Sequence, residues 1–90
     1  MAVYVDELVW EWRGRTWCHL LADTEEELHG FAGRLGLARF KCQRRPGRPW
    51  RDHYDLDEDA RLEAVRLGAI EITFHEAGLH LAGRRRRLGG

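Results

Sequence analysis

The stretch Trp17–Leu37, WCHLLADTEEELHGFAGRLGL, decides how the chain is read: strand, tight turn and helix in one run. Leu28, Phe31, Ala32 and Leu35 fall at i, i+3, i+4 and i+7, which lines four apolar groups along one helix face. Asp23 and Thr24 can each accept hydrogen bonds from the free N–H groups of a first turn. Glu26 and Glu27 stand three residues after them, so either choice completes a capping box. Gly36 suits the left-handed position after the last turn, with Leu37 folding back onto the helix. Thr16 to Ala22 lacks a helical period and is rich enough in β-branched, aromatic and aliphatic residues for a buried strand.

Outward from this unit, Ala2 to Val5 reads as a buried strand ending at Asp6. Residues 8–12 alternate weakly into an Arg13-Gly14 turn, so the N-terminus is either a hairpin or a strand followed by a loop. Ala38 to Cys42 reads as a third strand ending at Gln43. Residues 44–52, RRPGRPWRD, hold both prolines and cannot be regular structure. A second helix is expected over residues 57–67, capped by Asp55 or Asp57 and stopped by Gly68. Ile70, Ile72 and Phe74 alternate with Glu71, Thr73 and His75, the pattern of a half-buried strand. Glu76-Ala77-Gly78 then reads as a turn, and Leu79 to Ala82 as a hairpin arm.

Strand, helix, strand, helix, strand with short connections predicts a small α/β domain. Its central strands are expected to be mostly parallel, with two helices and hairpin arms at the ends. Residues 1–83 are expected to form this single domain, and residues 84–90 a basic, mobile tail. A core this small must be efficient or completed by a partner, so a homo-oligomer belongs among the expectations.

Composition narrows the classes. Hydrophobic residues make up 43% of the 90, which suits a folded domain rather than a disordered one. No apolar run approaches the ~20 residues of a membrane helix, and MAVYVDE lacks the layout of a signal peptide. A cytoplasmic protein with no membrane partner is the expectation. Cys18 and Cys42 form no CxxC pair and read as reduced, buried thiols. The chain lacks serine altogether, so a serine nucleophile is excluded, and it carries no GxxxxGK[ST], GxGxxG or HExxH motif. Cys18 and His19 are adjacent and point to opposite strand faces, which argues against a thiol–imidazole nucleophile.

The net charge is zero, yet the charges are segregated. Lys41, Arg44, Arg45, Arg48 and Arg51 come without an acid between them. Six acids follow in residues 52–63 against Arg61 alone, and Arg84 to Arg87 form a basic block. Arginine outnumbers lysine fourteen to one, a bias that GC-rich coding DNA also produces, so arginine content alone carries little weight.

In a parallel sheet Asp6, Asp23, Gln43, His53, Asp55 and His29 would gather at the carboxyl edge, beside the basic loop and two helix N-termini. The leading functional reading is therefore a phosphate-bearing ligand, a nucleotide or nucleic acid. Gln43, Arg44, Arg48, Trp50, Tyr54 and Arg61 would bind it, with Trp50 as the stacking group. The alternative is a metal-dependent phosphoesterase or nuclease. In that reading Asp6, Asp23, Asp55 and a histidine such as His53 hold one or two divalent metal ions, with His19 and His29 as further candidate ligands, and His53 with Asp55 are also the candidates for acid–base work. A second alternative is a protein-interaction module in which the histidines are structural. His75 and His80 read as surface residues.

The blocks MAVYVDE, CHLLADTEEELHGFAGRLGLARF, Gln43 and HYDLDEDARLEAVRLGA also resemble, in order and spacing, a family of short bacterial and phage proteins, the domain of unknown function DUF4031. The resemblance implies that Asp6, His19, Asp23, His29, Gln43, His53, Tyr54, Asp55 and Arg61 belong to a recurrent pattern. The chain departs from that pattern at Lys41 and Cys42, where aromatic residues are expected before the glutamine. The resemblance brings no activity with it.

Overall fold

The computed structural model describes residues 2–89. The described residues form β1 (Val3–Val5), β2 (Trp10–Trp12), β3 (Arg15–Ala22), α1 (Glu25–Arg34), β4 (Tyr54–Asp57), α2 (Glu58–Arg66), β5 (Ile70–Glu71) and α3 (Phe74–Arg87), with single 3₁₀ turns at Arg39–Lys41 and Pro49–Arg51. The eight residues of β3 are the spine. Both β1 and β2 pair with one edge of it and β4 with the other, all antiparallel, while β5 pairs parallel with β1.

The sheet is thus mostly antiparallel, not mostly parallel. The N-terminal third decides this, because β2 turns straight back into β3 through Arg13 and Gly14, at φ 53° and 72°. Positive φ at both central residues matches the twist of a two-residue hairpin. An antiparallel sheet has no common carboxyl edge, so the edge expected to collect the site does not exist. Asp6 and Asp23 show this directly. The Asp6 N–H bonds to His19 O, whereas the Asp23 N–H bonds to Ala2 O beyond the other end of β1.

Two further expectations fail. Ala38 to Cys42 is a 3₁₀ turn rather than a strand, and Gln43 joins the sheet only through a bridge to His53. The strand expected over residues 70–74 stops at Glu71, and helix α3 takes in the expected turn, hairpin arm and basic block. Thr73 caps α3 with a full capping box: its side chain accepts from the Glu76 N–H, and Glu76 accepts from the Thr73 N–H. Arg84 to Arg87 are the last turn of that helix, and Arg84 is buried.

Alternation along the strands sorts the sheet into two faces. Val5, Cys18, Leu20, Ala22, Tyr54 and Leu56 point to the face covered by α1 and α2. There they meet Leu28, Phe31, Ala32, Ala64 and Ala69 in one apolar core. Burying a leucine such as Leu20 or Leu28 stabilises by about 1.5–3 kcal/mol, so this side holds most of the hydrophobic free energy. The other face carries Tyr4, Trp17, His19, Leu21, Asp55 and Asp57, and α3 lies across part of it. Both cysteines are free and buried on the core side, where burial pushes the Cys18 thiol up to about 12.

Candidate metal centre

Asp6 ends β1 where the chain bulges. Asp6, Glu7, Leu8 and Val9 stand opposite Cys18 and His19, two residues more than a regular ladder holds. The bulge turns the Asp6 side chain back across β3. Its Oδ1 accepts the His19 N–H at 2.6 Å and its Oδ2 meets His19 Nδ1 at 2.7 Å. The side chain is fully buried. Such a carboxylate is tolerated only when its hydrogen bonds are made. Arg61 pins the bulge from outside, donating from Nε to Asp6 O at 2.8 Å and from its guanidinium to Glu71 at 3.0 Å.

His19 lies directly opposite Asp55 in the β3–β4 ladder, on the same face. His53, one residue before β4, brings its ring edge-on to His19 with centroids 4.9 Å apart. Its Nδ1 donates to Arg51 O at 2.8 Å, and a carbonyl can only accept, so the tautomer is fixed. Its Nε2 faces Asp55 Oδ1 at 3.3 Å. Burial opposes protonation of His53, but the Asp55 carboxylate and the Arg51 carbonyl outweigh it and raise its pKa. One donor atom from each of His19, His53 and Asp55 lies within 4.8 Å of the other two. Each imidazole has its Nδ1 held by an acceptor outside the cluster, leaving Nε2 for the inside. That arrangement is how ligating histidines are usually oriented.

Trp10 packs against His19, the rings tilted at 42° with centroids 4.8 Å apart. Beside the cluster a cavity of about 300 Å³ runs between His19, His53 and Arg51 on one side and Phe74, Ala77 and Leu81 of α3 on the other. The family model for protein of unknown function (DUF4031) matches residues 3–84. The chain belongs to that family. No curated protein and no solved structure matches it.

The cluster in this DUF4031 domain draws on both groups of expected site residues and leaves the rest elsewhere. His53 and Asp55 stand with His19 in a cluster that could hold a metal ion, and Asp6 lies behind His19, bonded to its Nδ1. Asp23 is held apart. Its carboxylate accepts from the Ala2 N–H, Tyr4 Oη and His80 Nε2, so His80 is no surface residue. His29 and Tyr54 bond to each other at 2.7 Å on the core face, across the sheet from the cluster. Arg61 works on the bulge backbone. Gln43 lines a second hollow of about 520 Å³ with Trp12, Trp17 and Phe40, which Asp55 also borders. Arg44 and Arg48 are exposed, and Trp50 lies under the Arg85 guanidinium at 5.2 Å.

Sequence reasoning missed Trp10 and the α3 side of the cavity, and it placed Arg51 in the basic loop without the role of its carbonyl. Arg51 acts partly through its backbone carbonyl, which no side-chain pattern reveals. The capping box Thr73-x-x-Glu76 was the signal that could have found α3.

Proposed function

We propose that this domain is a divalent-metal-dependent phosphoesterase, with His19 Nε2, His53 Nε2 and an Asp55 oxygen as the protein ligands. The observation that carries the reading is the outward commitment of both Nδ1 atoms, to Asp6 and to Arg51 O. Two imidazoles and one carboxylate suit Zn²⁺ or Mn²⁺ and leave positions for water and substrate. An ion so held lowers the pKa of bound water towards about 7 and so supplies a nucleophile at neutral pH. The residues around it do the remaining work. Asp6 keeps His19 in one tautomer, Arg51 offers a guanidinium to an incoming phosphate, and the α3 wall screens the cavity from bulk water.

A second reading, a phosphate-ligand binding module without metal, has one observation in its favour. The direct 3.3 Å contact of His53 Nε2 with Asp55 is what a plain ion pair gives. Native mass spectrometry of the untagged protein, with thermal melts in Zn²⁺ and Mn²⁺, separates the two. On the metal reading either ion raises the melting temperature, by an amount equivalent to about 2.7 kcal/mol at a hundredfold excess over Kd. His53→Ala or His19→Ala should remove that rise, and hydrolysis of bis(p-nitrophenyl) phosphate should need the ion. No bound metal and no shift with either ion would leave the binding module.

A further inference from the structure

Two basic segments far apart in sequence meet on one surface. Arg44, Arg45, Arg48 and Arg51 lie in the proline-rich loop, Arg84 to Arg87 form the last turn of α3, and α3 packs on the Pro49–Arg51 turn. Arg85 stacks on Trp50 and ties them together. Seven of these eight arginines are exposed. The arginines that pair with carboxylates among the described residues are Arg15, Arg39, Arg61 and Arg66, none of them from this set. The Asp52, Glu58 and Asp59 carboxylates, close by in sequence, make no ion pair with the loop. Asp52 is buried, and burial raises its pKa against the pull of Arg44 and Arg84. Arg84 is itself 5% exposed, with one guanidinium nitrogen lacking a hydrogen-bond partner among the described residues.

Cations crowded without counter-charges repel one another. The negative end of α3 offsets part of that for Arg84 to Arg87, and in the loop the buried Asp52 attracts Arg44 without pairing with it, leaving Arg45, Arg48 and Arg51 without a carboxylate partner among the described residues. Among the described residues, four of the six arginines outside this face pair with carboxylates, against none of the eight on it. The complement of such a face is a polyanion. We propose that this face binds the phosphate backbone of a nucleic acid, the strand running from the last turn of α3 over the loop to Arg51 at the cavity mouth. The proposal rests on the phosphoesterase reading for what happens to the strand there and names its substrate class, a phosphodiester polymer rather than a free nucleotide. The binding itself requires no metal.

Fluorescence anisotropy of labelled oligothymidylate with the full chain, in chelator and at rising salt, tests it. Each phosphate neutralised contributes about −0.7 to the slope of log K against log salt, so a slope steeper than about −2 is expected. Arg45→Glu with Arg48→Glu, and separately Arg86→Glu, should weaken binding about tenfold or more and flatten the slope, with the far-ultraviolet spectrum unchanged. Arg66→Glu, an exposed arginine elsewhere, should change it little, and thymidine monophosphate at equal phosphate concentration should compete poorly. Absence of salt-dependent binding, equal weakening by Arg66→Glu, or equal competition by the mononucleotide would overturn the proposal. So would binding to phosphatidylserine vesicles but not to the oligonucleotide. Oligonucleotide binding by a protein that takes up no metal supports the face and removes the phosphoesterase. Metal uptake without oligonucleotide binding does the reverse.

Discussion

Asp6 accepts two hydrogen bonds from a single residue, the backbone N–H and Nδ1 of His19. The first fixes the strand and the second fixes the ring, so one carboxylate sets both where His19 stands and which nitrogen is free. Asp6→Asn nearly preserves volume but offers one oxygen and one N–H₂ group in place of two acceptors. If the amide nitrogen faces the ring, Nδ1 must become the acceptor and the proton moves to Nε2, where it blocks metal. If the oxygen faces the ring, the His19 N–H loses its partner. Loss of an outer partner of this kind costs about 10–100-fold in metal affinity. Zn²⁺ affinity by chelator competition should therefore fall by that order in Asp6→Asn while the chain stays folded, and an unchanged affinity would detach Asp6 from the site. Asp6, His19, His53 and Asp55 were all legible in the sequence as chemistry-bearing residues. Their arrangement, with Asp6 behind His19 and both imidazoles beside Asp55, was not, because it depends on a two-residue bulge that no alternation pattern signals.

At the scale of elements, α2 is the clearest case of local chemistry setting structure. Asp57 closes β4 and caps α2, accepting the Ala60 N–H at 2.9 Å, and it also pairs with Arg15 across the sheet. The Ala60 hydrogen bond is the main reason its carboxyl lies below the ordinary value, with burial opposing and Arg15 assisting. A lowered folded-state pKa means the unfolded chain takes the proton first. The stabilisation is therefore complete above the unfolded value of about 3.9 and is lost as pH falls through the folded one. Asp57→Ala should cost about 0.5–2 kcal/mol in urea unfolding at neutral pH, and the difference from wild type should shrink only in acid. A difference constant down to acid pH would show that the cap is not carried by the carboxylate. The β3–α1 unit was readable because its periods, cap and stop agree. The YDLD sequence of β4 was not, since its aspartates look like helix-capping residues and its pairing partner is distant in sequence. Helix α3 was hidden by the alternation of Ile70 to His75 and by Gly78 and Gly83, which argue locally against a helix that the capping box and tertiary packing nevertheless sustain.

At the scale of the molecule, the two faces of the sheet are unequal. The α1–α2 face is an apolar core, while the opposite face puts histidines and carboxylates under a single helix whose buried residues are Ala77 and Arg84. Little apolar area holds α3 down, so polar and ring contacts along it carry its attachment: the Thr73 capping box with the Phe74 N–H donated to Glu7, His80 on Asp23 and Tyr4 in the middle, and the last turn with Arg84 buried and Arg85 on Trp50. The sequence reading made residues 84–90 a basic, mobile tail, and truncation after Gly83 decides between the two accounts. A solvated tail can be removed without effect. A packed last turn cannot, because its loss removes the buried Arg84 side chain and the Arg85 contact that ties α3 to Trp50 of the Pro49–Arg51 turn. The truncated chain should lose about 1–3 kcal/mol in urea unfolding, the range of a change that removes a buried side chain and its contacts. Arg85→Ala alone should lose less, about 0.5–1 kcal/mol, since it removes one exposed cation–π contact and leaves Arg84 in place. An unchanged midpoint in the truncated chain would mean that the N-terminal cap and His80 hold α3, and with it the Phe74, Ala77 and Leu81 wall of the cavity, without help from the last turn.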